Sequence, residues 1–302
     1  MSELIHEFEW TLKAPPVDVF QALTDSDALR TWFAEHVQIE PKPGGAYRFW
    51  GRHSYGTPTA ASATQTLTAF EPPNRLVYSW TLEGRNSEVS LSLSPDKDES
   101  NAGGTRLNGR HHFSAAPTIA RARELIDDLW RIHSGNLQAF LAGGAGITRP
   151  DFADPNPQIR ASILIEAPVA RVFASFLDPA MLNTWIASAA EVEAKVGGAY
   201  SYGWRYTIGD REVIGGPTRI LELVENEKLV TDWPDWRGDG DVPVQRITWL
   251  FEPVGERTRV TVVHDGFVRA VDISDYPFGW SFFLSMLKVA IENPSAPALS
   301  HV

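Results

Sequence analysis

The 302-residue chain contains no cysteine. Disulfides, thiolate metal sites and cysteine nucleophiles are thereby excluded, while the redox compartment stays undetermined. Positive charge is scarce: 27 Lys and Arg stand against 38 Asp and Glu, for a net charge of −11. A nucleic-acid backbone or an anionic bilayer demands clustered Lys and Arg, so neither nucleic acid nor membrane is the expected partner. No apolar run is long enough to span a bilayer, and the opening MSELIHEFEWTLKAPP has neither the basic start nor the apolar run of a secretory signal. A soluble, cytoplasmic protein is the expectation. Also missing are H-E-x-x-H, G-x-S-x-G and the phosphate loop G-x-x-x-x-G-K. No catalytic residue, cofactor or metal is assigned from the sequence.

What the chain has in quantity is tryptophan, 11 residues against only three methionines. That balance favours rigid aromatic walls over a plastic, promiscuous surface. In GGAYSYGWRY, Gly197 to Tyr206, the rings of Tyr200, Tyr202, Trp204 and Tyr206 occupy alternate positions. A strand would aim all four to one side of a sheet. Every Tyr hydroxyl and Trp indole needs a hydrogen bond when buried, so that side is either a packed aromatic core or the wall of a partly wet cavity.

The chain repeats itself. GGAY at Gly44 recurs at Gly197, 153 residues on (197 − 44), and Pro15, Phe20, Asp25, Trp32 and Trp80 recur at the same offset as Pro168, Phe173, Asp178, Trp185 and Trp233. Further on, TRL at Thr105 becomes TRV at Thr258, and His111 becomes His264. A period this long is a duplicated domain rather than a solenoid unit. The expected organisation is one domain over residues 1–142, a Gly- and Pro-rich linker over 143–157 and a second domain over 158–302.

Each copy reads as an opening strand, two short helices, a run of strands and a long amphipathic helix. FEWTLKA and RASILIEA alternate as opening strands. Asp178 followed by Pro179 starts a helix by capping and by the first-turn preference of proline. At the end of each copy, Ile126, Leu129, Trp130, His133 and Leu137, and likewise Trp280, Phe283, Leu284 and Leu287, follow helical spacing.

This order, with APxxxVFxxxxD and its following Trp (Ala167 to Trp185), the GGAY strand, the LV-x-x-W strand (Leu229 to Trp233) and T-R-V-x-V-x-H-x-G-F (Thr258 to Phe267), resembles the START-like SRPBCC superfamily, within it the group named after the activator of the heat-shock-protein ATPase. The resemblance implies an α+β chain of two tandem helix-grip domains, each a curved antiparallel sheet wrapped around its C-terminal helix with an apolar cavity between them. It further implies that a hydrophobic, aromatic or polycyclic small molecule is bound there. The expected walls are Tyr200, Tyr202, Trp204, Tyr206, Trp233, Trp249, Trp280 and His264 in the second copy, and Tyr47, Phe49, Tyr78, Trp80, His111 and Trp130 in the first. His264 is read either as a ligand contact or as a satisfied core histidine. The more aromatic second cavity is expected to be the better site.

Some bacterial relatives protect a producing organism from its own natural product, enediynes included, through backbone cleavage at a glycine. Gly109, Gly203 and Gly266 would be the candidates, against their reading as bulges or kinks. Two other function classes stand beside sequestration. One is a polyketide aromatase or cyclase using His264, Tyr202 and Arg205 or Arg246. The other is a co-chaperone or protein-interaction module, which would need a contiguous docking patch. His111 and the adjacent His112 face opposite ways on a strand and cannot chelate one ion, and DWRGDGDVP, Asp235 to Pro243, reads as a solvated turn.

Overall fold

The computed structural model describes residues 2–208, 211–235 and 242–293; DWRGDGDVP falls mostly outside them. The chain divides into two compact units, Met1–Asp154 and Pro155–Val302.

In unit 1, β1 (Leu4–Leu12) leads into α1 (Pro16–Thr24) and α2 (Ser26–Trp32). Asp25 ends the first helix and caps the second, its carboxylate accepting from the amides of Asp27 and Ala28. The hairpin β2 (His36–Ile39) and β3 (Tyr47–Trp50) follows, then β4 (Leu67–Glu71), β5 (Arg75–Leu82), β6 (Arg85–Pro95), β7 (Thr105–Phe113) and the long α3 (Ala122–Leu141). The main sheet is antiparallel in the order β1-β7-β6-β5-β4, and the Ala46–Thr66 bridge ties the β2–β3 hairpin to its β4 edge. Inward residues of β5 to β7, among them Tyr78, Trp80, Val89, Leu107 and His111, meet a stripe on α3 comprising Leu125, Leu129, Trp130, His133 and Leu137, all buried.

Unit 2 repeats the plan with β8 (Ile159–Ile165), α4 (Val169–Ser175), α5 (Pro179–Trp185), β9 (Glu191–Val192), β10 (Tyr200–Ser201), β11 (Trp204–Ile208), β12 (Arg211–Gly215), β13 (Ile220–Val224), β14 (Lys228–Trp233), β15 (Gln245–Val254), β16 (Arg257–Asp265) and α6 (Tyr276–Glu292). Its sheet runs β13-β14-β15-β16-β8, again antiparallel. Asp178 caps α5 through the Ala180 amide, 2.9 Å. Each unit is thus a helix-grip fold, and the chain is two of them in tandem.

Equivalent hydrogen bonds recur in both units and explain several repeat landmarks. Thr105 Oγ1 donates to the Ala14 carbonyl (2.6 Å) and Thr258 Oγ1 to that of Ala167 (2.8 Å), fastening the strand before the long helix to the end of the opening strand. In GGAY the first glycine has positive φ, +77° at Gly44 and +79° at Gly197. A Cβ on the second would lie 2.2 Å from the Glu40 carbonyl at Gly45, and 2.3 Å from that of Glu193 at Gly198. Only glycine fits both positions.

Residues 143–154 are more than a spacer. Asn136 of α3 donates to the Thr148 carbonyl and accepts from its amide, both at 2.7 Å. The Phe152 amide reaches the Arg52 carbonyl at 3.0 Å, and the Phe152 ring meets Tyr55 edge-on. This part of the expected linker is a strap bound to unit 1.

Candidate functional site

Both units carry an aromatic interior between sheet and long helix. In unit 2 the rings form a continuous run: Phe176 to Trp249 (5.0 Å between centroids), Trp249 to Trp280 (5.6 Å), Trp280 to Trp233 (5.4 Å), Trp233 to Trp204 (6.0 Å) and Trp204 to Tyr202 (5.0 Å). In unit 1 Phe33, Phe49, Trp80, Trp130 and His133 meet similarly. Contacts at these separations, mostly edge-on, are favourable for aromatic pairs.

GGAYSYGWRY is not one strand. Gly203 takes φ +68°, and a Cβ there would lie 2.4 Å from the Ala189 carbonyl, so the chain breaks between β10 and β11. Tyr200 and Tyr202 are fully buried, and Trp204 is half-buried, its indole donating to the Ile186 carbonyl at 2.7 Å. Tyr206 lies at the surface, 41% exposed, and departs from the wall expected of it because the β11–β12 hairpin leaves the main sheet there. Tyr47 and Tyr200 are held for a different reason than a ligand. Their hydroxyls donate to the carbonyls of Leu23 (2.7 Å) and Phe176 (2.9 Å) at the ends of the first helices. Burial raises the Tyr47, Tyr78, Tyr200 and Tyr202 hydroxyls well above the ordinary tyrosine range, so all four stay protonated.

The two expected histidines are fully engaged. Ser87 Oγ donates to the Trp80 carbonyl (2.6 Å) and therefore accepts from His111 Nε2 (2.8 Å), while Trp130 Nε1 donates to His111 Nδ1 (3.1 Å). In unit 2, His264 Nε2 donates to Gln245 Oε1 (2.8 Å) and its Nδ1 accepts from Trp280 Nε1 (3.2 Å). Burial lowers both imidazoles to about 3, so they are neutral with one tautomer fixed by their partners. With both nitrogens occupied by the protein, neither ring has a position left for proton transfer. Arg205 pairs with Glu212 and Arg246 with Asp265, all on exposed faces and remote in chemistry from the interior. His112 points outward to Glu3, opposite to His111.

Other buried polar atoms have no protein partner. In unit 1 these include Trp80 Nε1 and both ring nitrogens of His133; in unit 2, Trp185 Nε1 and Thr231 Oγ1. Burial lowers His133 to about 3 as well. Sequence reasoning placed His133 on an amphipathic helix face without singling it out. The signal was there: it is the one imidazole in an otherwise apolar stripe.

Among the described residues no Lys or Arg is buried, and no cluster of metal-ligating side chains occurs. No described helix is long and apolar enough to cross a membrane. Two surface hollows lie apart from these interiors, one of about 450 Å³ lined by Ala170, Phe173, Leu177 and Leu223, the other of about 550 Å³ lined by Glu7, Glu9, Ser92 and Arg110. Neither contains an expected wall residue.

A family model described as "Activator of Hsp90 ATPase homolog 1-like protein" matches residues 13–142 and again 166–292. No curated protein matches the chain. Among solved structures, the chain is similar to DynU16, a protein of the dynemicin biosynthetic locus, at 17% identity over 95% of this chain and 98% of that one, TM-score 0.39. CalU16 from Micromonospora echinospora is 25% identical over 47% of this chain and 76% of its own, TM-score 0.35. The Aha1 dimer from Colwellia psychrerythraea is 18% identical over 46% and 98%, TM-score 0.37.

Proposed function

The chain belongs to the activator of Hsp90 ATPase homolog 1-like family, twice over, and we propose that it takes up a flat, hydrophobic, aromatic small molecule between sheet and long helix and holds it without covalent chemistry. One observation carries the reading: the aromatic interiors contain buried polar atoms with no protein partner, Trp80 Nε1 and His133 in unit 1 and Trp185 Nε1 and Thr231 Oγ1 in unit 2. Folded proteins pair nearly all such groups, because each left bare costs about 1–3 kcal/mol. A ligand that brings its own polar atoms into an aromatic enclosure removes that cost and gains stacking area.

Of the groups the aromatase or cyclase alternative would use, His264 is engaged on both sides, the two arginines pair with surface carboxylates, and burial keeps the Tyr202 hydroxyl protonated. A polycyclic natural product, an enediyne included, is the narrower form of the same uptake. The test is titration of the whole chain with naphthalene and anthraquinone by calorimetry and tryptophan fluorescence. Saturable binding with tryptophan quenching is the expected result, and absence of binding to every flat aromatic tried would overturn the proposal. Mass spectrometry after exposure to an enediyne separates simple uptake, which leaves the chain intact, from uptake with cleavage at a glycine.

A further inference from the structure

The indole–imidazole bonds align the two long helices. Trp130 binds His111 and Trp280 binds His264 in the same way, so these tryptophans are equivalent positions, 150 residues apart (280 − 130). Three residues further along, α3 carries His133 where α6 carries Phe283. The copies therefore differ at this position by a buried imidazole against a half-buried phenyl ring.

His133 is 4% exposed. Its ring closes a circuit of five: 4.4 Å to Phe33, then 4.8 Å to Phe49, 5.0 Å to Trp80, 6.4 Å to Trp130 and 5.7 Å back to His133. Trp80 Nε1, in the same circuit, is also buried and bare. His111 and His264 show how this fold treats a structural histidine, giving each nitrogen a partner. His133 has neither. A neutral imidazole presents one N–H donor and one lone-pair acceptor, so what completes it must accept, donate, or do both. An anion is disfavoured, because no buried Lys or Arg is present among the described residues to offset its desolvation, and unit 1 already buries one carboxylate, that of Asp128.

We propose that the interior of unit 1 selects a neutral aromatic ligand carrying a hydroxyl or comparable donor–acceptor group, with His133 as the hydrogen-bonding residue, a contact that unit 2, with Phe283 in that place, does not offer. The proposal rests on the uptake function given above. It assigns the two copies different ligand chemistry rather than redundant capacity.

The experiment compares 2-naphthol, naphthalene and 2-naphthoate on the full chain by calorimetry at neutral pH, in the wild type and in His133→Phe and His133→Gln. The wild type should bind 2-naphthol about tenfold more tightly than naphthalene at one site, the gain expected of one buried hydrogen bond, and 2-naphthoate more weakly than 2-naphthol. His133→Phe should abolish the preference while keeping naphthalene binding; His133→Gln, which retains a donor and an acceptor, should keep most of it. Equal affinities for 2-naphthol and naphthalene, or an unchanged preference in His133→Phe, would overturn the proposal and mean that an internal water alone completes His133, with uptake itself intact. Binding of none of the three would overturn both. Should His133→Phe fail to fold, the ¹⁵N resonances of the His133 ring in the wild type decide. They should move with 2-naphthol and not with naphthalene, and no movement with 2-naphthol sinks the idea.

Discussion

The hydroxyl of Tyr47 donates to the carbonyl of Leu23 at 2.7 Å, and Tyr200 makes the same bond to Phe176 at 2.9 Å. Each ties the strand after GGAY to the end of the first helix of its unit. The tyrosine of this motif is thus a buried fastening whose polar tip is spent on the backbone. Tyr47→Phe and Tyr200→Phe should each lower stability by about 1–2 kcal/mol, because a buried carbonyl loses its donor. Denaturant unfolding measures this. Ligand affinity should not change, and a variant that lost affinity while keeping full stability would place the hydroxyl on the ligand instead.

The family match to the first copy ends at residue 142, yet unit 1 extends to Asp154. Asn136 is buried, and its side-chain amide donates to the carbonyl and accepts from the amide of Thr148 in the strap. A fragment of residues 1–142 would leave that amide bare. Fragments 1–154 and 155–302 should each fold, and 1–154 should exceed 1–142 in stability by about 2–4 kcal/mol. Equal melting of fragments 1–154 and 1–142 would show that the strap contributes nothing.

Much of the architecture is legible in the sequence because a duplicated chain supplies its own comparison: the positions that recur at one offset are caps, turn glycines and inward rings. The offset itself hides the most informative difference. It is 153 through His111 and His264 but 150 at Trp130 and Trp280, so the connection before the last helix differs in length by three residues and His133 has no visible counterpart until the indole bonds align it with Phe283. Strand parity misreads GGAYSYGWRY for another reason. Alternation assumes an unbroken strand, and Gly203, with its positive φ and the Ala189 carbonyl against it, ends one strand and starts another. Nor does parity distinguish a bare polar tip from a satisfied one. His111 and His264 share the inward face with the rings of the aromatic interiors, but Ser87 and Gln245, which satisfy them, come from neighbouring strands.

Acid should weaken the fold in a way that reports on the buried imidazoles. His111, His133 and His264 are each lowered to about 3 by burial, against 6.5 for the free side chain. The unfolded chain takes up these protons below about pH 6.5 and the folded chain does not, so the contribution to stability is complete above that value and falls as pH drops toward 3. At pH 5 each costs on the order of 2 kcal/mol. His133→Phe should flatten the decline between pH 6.5 and 4 by about one third of the histidine contribution. Denaturant midpoints across that range test it, and parallel pH profiles for variant and wild type would mean that His133 is protonated in the folded protein.

Trp204 sits where the run of rings in unit 2 reaches the surface. It stacks on Phe283 (5.4 Å between centroids, 21° between planes), touches Trp233 and Tyr202, and anchors its indole on the Ile186 carbonyl. A ligand entering that interior from the β11–β12 side meets this ring first, held flat and already hydrogen-bonded, so no order has to be imposed on it at binding. Trp204→Ala should therefore weaken naphthalene binding at the unit 2 site by about 1–3 kcal/mol, leave the 2-naphthol-preferring site of unit 1 unchanged, and lower the melting of unit 2 through loss of the Ile186 bond. Tyr206→Ala, at a ring 41% exposed on the free hairpin, should have less than half that effect on affinity. Trp204→Phe separates packing from the hydrogen bond: it keeps a flat ring against Phe283 without the indole donor, so affinity should largely survive while stability falls. If calorimetry instead shows that Trp204→Ala loses stability alone, with naphthalene affinity unchanged at both sites, Trp204 is a structural lid over a closed core and the entrance to unit 2 lies elsewhere.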